Sequence, residues 1–200
     1  GSEMCIRDSR ESVDLIIPRG SNAFVQHIMS RTSIPVMGHT DGICHIYVDK
    51  DYDMAKSIPI VIDAKTQYTA ACNAAETLLV HRDIAKDFLP VLEKAAGEKH
   101  IRLRGTKEAG EIIPLDIIED DDFRHEYLDL VLAVKIVSGV DEAVNHINRY
   151  GSHHTDAIIT ENINTAARFM QLVDSAGVYQ NASTRFADGF RSVSYTHLRA

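Results

Sequence analysis

The sequence predicts an α/β fold with a mainly parallel sheet and flanking helices. Two observations predict it: short apolar runs of strand length recur along the chain, and patterns of helical periodicity lie between them. Strands that alternate with helices are joined by crossover connections, which place the strands parallel in one sheet. With 200 residues, 44% of them apolar, the chain can bury one good core, or one domain and part of another.

Five short apolar runs are predicted to be buried strands. They span residues 15–17, 44–48, 77–80, 130–134 and 156–160.

Helical periodicity falls between these strands. Residues 84–92 place apolar side chains on one face, and Gly97 is predicted to follow the end of that helix. A second pattern covers residues 141–150 and ends at Gly151. No internal repeat is apparent.

Two segments are predicted to be irregular. The pattern over residues 52–64 reads as a helix but contains Pro59, and an interior proline costs about 3 kcal/mol. We therefore predict a kink or a break near Ile58. Residues 105–122, which end in three consecutive aspartates, are predicted to form a surface excursion.

The charge balance and cysteine content exclude some partners. The 21 basic and 29 acidic residues give a formal net charge of −8, without a block rich in lysine or arginine, so neither nucleic acid nor an anionic membrane is indicated. The 3 cysteines are an odd number, and no apolar run is long enough to span a bilayer. Together with the lack of a visible signal peptide, this predicts a cytoplasmic protein with reduced thiols.

Cys72 is the main candidate for a nucleophile. It lies between Ala71 and Asn73 in the stretch AACNAAETLLVH (70–81), and small neighbours leave a thiol open to a substrate. Because cysteine is also among the residues most often buried, a core cysteine remains the alternative on local context. No Lys or Arg lies within six residues of Cys72, so a thiolate there is expected to need backbone N–H groups or a helix N-terminus.

Several longer motifs surround Cys72 in a fixed order. They are DLIIPRG (14–20), IPVMGHTDGICHIYVD (34–49), YGS (150–152), HTD (154–156), VDSA (173–176) and NASTRFADGF (181–190). Together they resemble the gamma-glutamyl phosphate reductases, also called glutamate-5-semialdehyde dehydrogenases, a branch of the aldehyde dehydrogenase superfamily. The resemblance runs from about Val13 to Arg191, and ordered motifs of this length are far more specific than a lone glycine pattern.

The resemblance implies an aldehyde-dehydrogenase-like catalytic domain and a reductase of proline biosynthesis. In this family Cys72 would displace phosphate from gamma-glutamyl phosphate to form a thioester, which NADPH would reduce to glutamate-5-semialdehyde. Hydrolytic aldehyde dehydrogenases carry a glutamate before a Gly-Gly pair, whereas the nearest stretch here, residues 38–42, holds none, so no base for hydrolysis is expected. His39 in that stretch either assists proton transfer or is bonded to the backbone.

The resemblance also implies residues for the cofactor. Glu126 matches the glutamate that bonds the cofactor ribose, with an exposed charge before a strand as the equal alternative. Arg19, with Gly20 and Ser21, is assigned to the cofactor phosphates, although a Pro-Arg-Gly turn is also an ordinary surface feature.

Four residues are candidates for contacting the substrate. Arg185, beside Ser183 and Thr184, is assigned to the substrate's carboxylate or phosphate because a guanidinium meets an oxyanion in a bidentate way. Asn73, next to the thiol, completes this set.

No metal site is predicted. Cys44 and His45 adjoin on a predicted strand and so point to opposite faces, which argues against a shared ion. His153 and His154 lack further Cys or His at ligand spacing and are predicted to be turn residues.

The resemblance divides the chain into four parts. Residues 11–37 are expected to be the end of a cofactor-binding domain and residues 38–191 the thiol-bearing catalytic domain. Residues 1–10 and 192–200 break off from the family pattern and are expected to be non-native tails. The chain is therefore expected to be a fragment that lacks most of the dinucleotide cradle and catalyses poorly alone.

Partners and alternatives follow from the same resemblance. The parent enzyme is expected to be a homo-oligomer that takes a small-molecule substrate, either standing alone or coupled or fused to a glutamate 5-kinase. Two other readings stay open: another thiol-dependent aldehyde dehydrogenase, and a truncated remnant without turnover.

Overall fold

The computed structural model describes residues 12–18, 22–38 and 41–188. The chain forms two compact units that divide between Asp41 and Gly42. In the first unit, helix α1 spans Asn22–Arg31.

The buried strand predicted at residues 15–17 is wrong. Only Ile16 pairs, in an isolated parallel bridge with Val36. Leu15 and Ile17 are 42% and 53% exposed. A short apolar run determines neither a partner strand nor a layer that covers it. The apolar pattern alone therefore overestimates the burial and strand length of this segment.

The second unit is a seven-stranded parallel sheet with helices between its strands. Its order β4-β3-β5-β2-β1-β6-β7 contains only parallel pairs among the strands described, which confirms the predicted α/β class. The elements in chain order are β1 (Cys44–Val48), α2 (Met54–Thr66), β2 (Ala75–His81), α3 (Ala85–Glu98), β3 (Arg102–Gly105), α4 (Lys107–Gly110), β4 (Asp116–Ile117), β5 (Val131–Val137), α5 (Val140–Tyr150), β6 (Thr155–Ile159), α6 (Ile163–Leu172) and β7 (Gly177–Gln180). Short 3-10 helices span Arg82–Ile84, Asp120–Arg124 and Thr184–Ala187.

The central strands are covered on both faces. Ile46 and Leu78 pack with α2 and α3, whereas Tyr47, Leu79 and Ile158 pack with α5 and α6. Because no side of these strands meets water, their sequences are continuous apolar runs rather than alternating ones. Full burial of each such side chain contributes about 1.5–3 kcal/mol, so this sheet is the main source of stability.

The strand predicted at residues 44–48 is confirmed at both ends. Those at 77–80, 130–134 and 156–160 are confirmed in place, although β2 begins at Ala75, β5 runs from Val131 to Val137, and β6 ends at Ile159. The sequence did not predict β3, β4 and β7. They are short, and β3 carries two arginines, so the apolar signal is weak.

The break predicted near Ile58 is wrong, because α2 continues through Pro59. Asp53 caps the helix by accepting the N–H of Ala55 at 2.9 Å. Val61 and Ala64, in the turn after the proline, are fully buried. Packing of this turn offsets the hydrogen bond that proline removes.

The helix predicted over residues 141–150 is confirmed as α5, which ends at Gly151. Gly97 does not stop α3, contrary to the prediction, but lies inside its last turn. A Cβ at Gly97 would meet nothing within 4 Å. The left-handed residue after α3 is His100, with φ 58°.

Residues 105–122 are more ordered than the predicted surface excursion. They contain α4 and the edge strand β4. Ala109, Ile113 and Ile118 are buried, with exposures of 0%, 2% and 5%. These apolar contacts hold the segment against the sheet.

His146 makes the stability of the fold depend on pH. Its ring lies 4.9 Å from Phe123, 5.5 Å from His45 and 4.6 Å from Tyr150 between ring centroids. Burial, together with the charges of His45, Lys135 and Arg149, lowers the pKa of His146 to about 2. Below pH 6.5 the unfolded chain therefore binds a proton at His146 that the folded chain does not bind, and stability is lost as the pH falls.

We expect His146→Leu to reduce the loss of unfolding free energy between pH 6.5 and pH 5 by up to about 1.4 kcal/mol per pH unit, because the unfolded variant gains no proton there. Urea unfolding at a series of pH values measures this slope. His100→Asn removes an exposed histidine and keeps a residue that tolerates positive φ, so it should leave the slope unchanged. Equal slopes for wild type and His146→Leu would contradict the assignment.

Candidate active site

Four loops meet at one edge of the sheet. They precede β5, β2, β1 and β6, which are neighbours in the strand order. Parallel strands begin at the same edge, so Glu126, Cys72, Gly42 and Ser152 are brought to one end of the second unit. The N–H of Ile43 donates to Ser152 Oγ at 2.9 Å, which joins two of these loops.

Cys72 lies in the loop between α2 and β2, in a run of turns over residues 69–73. The loop is held by hydrogen bonds from the N–H of Ala71 to the Tyr68 carbonyl at 3.3 Å and from the N–H of Ala74 to the Ala71 carbonyl at 2.9 Å. Cys72 is partly exposed, whereas Cys44 is fully buried. Of these two cysteines, only Cys72 is placed where a substrate could reach the sulfur.

The Cys72 loop does not lead into a helix. The loop follows the C-terminal end of α2 and leads into a strand, and in the ranges that the structure describes no helix begins within it. This loop therefore does not itself supply a helix N-terminus, and activation of Cys72 by backbone N–H groups stays a prediction.

Gly42 lies directly against the backbone of Cys72. A Cβ at position 42 would stand 2.1 Å from the Cys72 carbonyl oxygen and 2.4 Å from its Cα. The thiol of Cys44 donates to the same carbonyl at 3.2 Å. Only glycine fits at position 42, because any side chain there would displace the Cys72 loop.

Glu126 bonds the backbone beside the thiol. Its Oε1 accepts the N–H of Gly42 at 2.8 Å, and the residue is partly exposed. A hydrogen bond to a charged group contributes about 1.5–3 kcal/mol. Glu126 is thus neither a free surface charge nor remote from Cys72. Its suggested bond to a ribose stays a prediction.

Two of the predicted substrate residues present unpaired polar atoms. Asn73 Oδ1 and Thr184 Oγ1 are buried and have no hydrogen-bond partner among the described residues. Ser183, by contrast, caps the last 3-10 helix by accepting the N–H of Arg185 at 3.2 Å. Buried polar atoms normally have a partner, so Asn73 and Thr184 are positions where a ligand or a water would be bonded.

Arg185 is committed to protein groups. Its residue exposure is 5%, its Nε donates to Gln67 Oε1 at 2.9 Å, and its Nη2 donates to Asp188 Oδ2 at 3.1 Å. Gln67 is the residue at which α2 ends and the Cys72 loop begins. The side chain therefore ties the last 3-10 helix to that loop. The bidentate contact with a substrate oxyanion stays a prediction.

Sequence reasoning missed a buried ion pair beneath the loop. Lys65 Nζ lies 2.8 Å from Glu76 Oε2, and the two side chains are 0% and 1% exposed. The sequence shows a lysine and a glutamate on either side of the loop, but nothing in it indicates that the two are in contact. Buried charges of this kind occur in pairs because each is too costly alone.

The remaining residues singled out from the sequence include four that the structure does not describe. Arg19, Gly20, Ser21 and His39 lie outside the described residues. Cys44 and His45 face opposite sides of β1, as expected: the thiol bonds the Cys72 carbonyl, while the imidazole packs against His146 of α5. A search of the described residues finds no cluster of three or more His, Cys, Asp or Glu side chains that could hold a metal ion. Nor is any described helix long and apolar enough to cross a membrane.

A described cavity of about 400 Å³ lies at the opposite, carboxyl edge of the sheet. Its charged side chains include Arg82, which pairs with Glu108 at 3.2 Å, and Lys135, which pairs with Asp120 at 2.9 Å. These pairs satisfy one another, so this cavity is less suited than the amino edge to thiol chemistry.

Comparison with known proteins shows what the whole chain is similar to. No protein-family model matches the chain. Over 179 residues, or 90% of its length, the chain is 59% identical to gamma-glutamyl phosphate reductase 1 of Synechocystis sp. and covers 41% of that protein. The chain is homologous to part of the gamma-glutamyl phosphate reductases. It spans about two fifths of the length of the curated relatives it matches, which is consistent with the fragment expected from the sequence.

Solved structures agree with this homology. The crystal structure of gamma-glutamyl phosphate reductase from Thermotoga maritima matches with a TM-score of 0.91 and 43% identity, over 95% of this chain and 46% of that one. A propionaldehyde dehydrogenase from Clostridium phytofermentans matches with a TM-score of 0.72 and 18% identity, over 94% of this chain and 51% of that one. The second match shows the fold, and it confirms the aldehyde-dehydrogenase-like class.

We expect Gly42→Ala to lower the free energy of unfolding by about 3 kcal/mol or more, because its methyl group would collide with the Cys72 backbone. Gly97→Ala is the matched control: the same change in an open helical position should raise the free energy of unfolding by about 0.5–1 kcal/mol. Urea unfolding of both variants measures the contrast, and similar effects of the same sign would refute the close approach at position 42.

Proposed function

We propose that this chain carries the thiol-bearing part of an oxidoreductase that reduces gamma-glutamyl phosphate to glutamate-5-semialdehyde with NADPH, in proline biosynthesis. The observation that carries the proposal is 59% identity, over 179 residues, to a protein named for this reduction. The position of Cys72, partly exposed where four loops meet, supports it.

Cys72 is the nucleophile of the proposed reaction. Its thiolate attacks the acyl carbon of gamma-glutamyl phosphate, a C–S bond forms, the bond from carbon to the phosphate oxygen breaks, and phosphate leaves. The structure favours Cys72 over Cys44 for this step. Burial, with the charge of Asp156, raises the pKa of the Cys44 thiol well above its usual value, so Cys44 stays protonated and unreactive.

The nicotinamide cofactor, when bound, supplies the hydride that reduces the thioester. Glu126 is the residue of this chain proposed to orient its ribose, because a partly exposed carboxylate accepts well from a diol. Arg19, Gly20 and Ser21 are proposed to contact the cofactor phosphates. The thiolate of Cys72 is expelled as the aldehyde carbonyl forms, which regenerates the nucleophile.

The substrate is proposed to lie over Asn73 and Thr184. Both present buried polar atoms without a partner among the described residues, which a bound substrate would satisfy. Ser183 and Arg185 hold this corner in place, and Arg185 is proposed to attract the substrate's carboxylate or phosphate.

The remainder of the enzyme is proposed by homology. Residues 11–37 would be the end of a cofactor-binding domain, and residues 38–191 would be the thiol domain. The parent enzyme is proposed to be a homo-oligomer, with coupling or fusion to a glutamate 5-kinase as an open possibility. Because the chain covers 41% of its relative, we expect these residues alone to show little turnover.

A chimera tests the role of Cys72. Residues 12–188 replace the matching segment of the Synechocystis enzyme, to which the chain is 59% identical. We expect NADP-dependent and phosphate-dependent oxidation of glutamate-5-semialdehyde, and we expect Cys72→Ser to lower kcat by at least about a thousandfold, because a neutral hydroxyl replaces the thiolate. Thermal unfolding of both proteins confirms that the substitution leaves the fold intact. Turnover that survives Cys72→Ser in a folded chimera would rule out the assigned nucleophile.

Thr184→Val in the same chimera tests the substrate contact. Valine keeps the shape of threonine and removes the hydroxyl, so we expect KM for the semialdehyde to rise roughly tenfold, the equivalent of one hydrogen bond. Thr106→Val is the matched control, since Thr106 Oγ1 is also buried without a described partner but lies at the other edge of the sheet. If KM is the same in both variants, Thr184 does not contact the substrate.

A further inference from the structure

The Lys65–Glu76 pair closes the base of the loop that carries Cys72. Lys65 lies in the last turn of α2, and Glu76 is the second residue of β2, so the loop begins just after one charge and ends just before the other. The separation of 2.8 Å between Nζ and Oε2 is that of a charge-assisted hydrogen bond. This contact fixes the distance between the two ends of the loop.

A gain in folding stability does not by itself explain a buried ion pair at this position. Both side chains are essentially inaccessible, with exposures of 0% and 1%, and their apolar neighbours include Ala64 and Leu78. Removing two charges from water is costly, and an apolar pair of similar volume often gives equal or greater stability. A buried ion pair at this position is therefore better explained by a requirement for a defined geometry.

The same carboxylate also faces the segment that carries Glu126. The backbone N–H groups of Tyr127 and Leu128 point towards Glu76 and lower its pKa, against the rise caused by burial. Oε1 makes no hydrogen bond of standard geometry among the described residues, so this attraction acts through the N–H dipoles. Leu128 has φ 54°, a left-handed conformation that is unfavourable for a leucine.

The charged surroundings of the pair extend to the site. Asp129 and Glu126 raise the pKa of Lys65, although burial lowers it overall. Cys44, whose thiol bonds the Cys72 carbonyl, also feels the charge of Glu76. Burial raises the pKa of Tyr127, and the charge of Glu76 raises it further. The Lys65–Glu76 pair thus interacts electrostatically with both the loop before β2 and the loop before β5.

We propose that the buried Lys65–Glu76 pair is a positioning device that holds the Cys72 loop and the Glu126 segment in register with each other. Its part in catalysis rests on the function proposed above, whereas its effect on the two loops does not. The pair touches neither substrate nor cofactor, so Lys65 and Glu76 are positioning residues. Glu76 ionises with a pKa raised to about 7 by burial, so the support changes with pH near neutrality.

The test removes both charges at once, because one charge left alone would unfold the core. In the 200-residue chain, Lys65→Met with Glu76→Leu should fold, and amide hydrogen exchange in residues 67–74 and 126–129 should become at least about tenfold faster. The matched control is Lys56→Met with Glu161→Leu, which removes an exposed ion pair of 3.0 Å between the same helix and the loop after β6. It should leave exchange in both loops unchanged.

A pH profile separates positioning from packing. Alkylation of Cys72 by iodoacetamide, followed by peptide mapping, should show an inflection near pH 7 in the wild type as Glu76 ionises. The double variant should lack this inflection and the control pair should keep it. If this double variant does not fold, Lys65→Met with Glu76→Gln, which also removes both charges and keeps the volume of the glutamate, is measured in its place.

Kinetics of the chimera distinguish this proposal from the proposed function. The double variant should lower kcat by up to about a hundredfold with KM little changed, because the thiol is displaced while the substrate contacts remain. An inactive wild-type chimera would contradict the proposed function and leave the exchange and alkylation results standing. Exchange and alkylation profiles equal to those of the wild type in a folded double variant would overturn the positioning role.

Discussion

The absence of a side chain at Gly42 is the constraint on which the candidate site depends. The backbone of Cys72 occupies the space where a Cβ would lie, 2.1 Å from the Cys72 carbonyl oxygen. Gly42 also donates its N–H to Glu126. The segment before β1 therefore contacts both the Cys72 loop and the segment before β5. Three loops that are distant in sequence are thereby held at one edge by a close backbone contact and one charge-assisted hydrogen bond.

The parallel sheet makes this convergence possible. In a parallel sheet every strand begins at the same edge. Residues that precede neighbouring strands therefore lie close together even when they are far apart in the sequence. The two apolar layers keep the strands fixed, and the loops that carry the candidate site lie at the edge. The packed core therefore fixes the ends of the loops, and the loops carry the functional groups of the candidate site.

The sequence predicted the fold class and the central strands because burial on both faces leaves long apolar runs that local reading detects. It failed where local signals conflict with tertiary packing: Pro59 is tolerated within α2, and Gly97 does not end α3. For the site, motif resemblance pointed to Cys72 and Glu126. The support of Gly42 and the Lys65–Glu76 pair could not be predicted, because each depends on a distance between residues that only the folded chain defines.

The position of β1 in the sheet affects how the protein is made. β1 lies between β2 and β6, and Ile46 pairs with both Leu78 and Ala157. During synthesis one side of this apolar strand therefore has no partner until β6, which begins at Thr155, has been made. Pairing across such a separation is slow, and an open strand edge can pair with other chains. Protection of β1 by a chaperone during translation would follow from this strand order, since β1 ends at Val48 and the strand that completes its pairing begins only at Thr155.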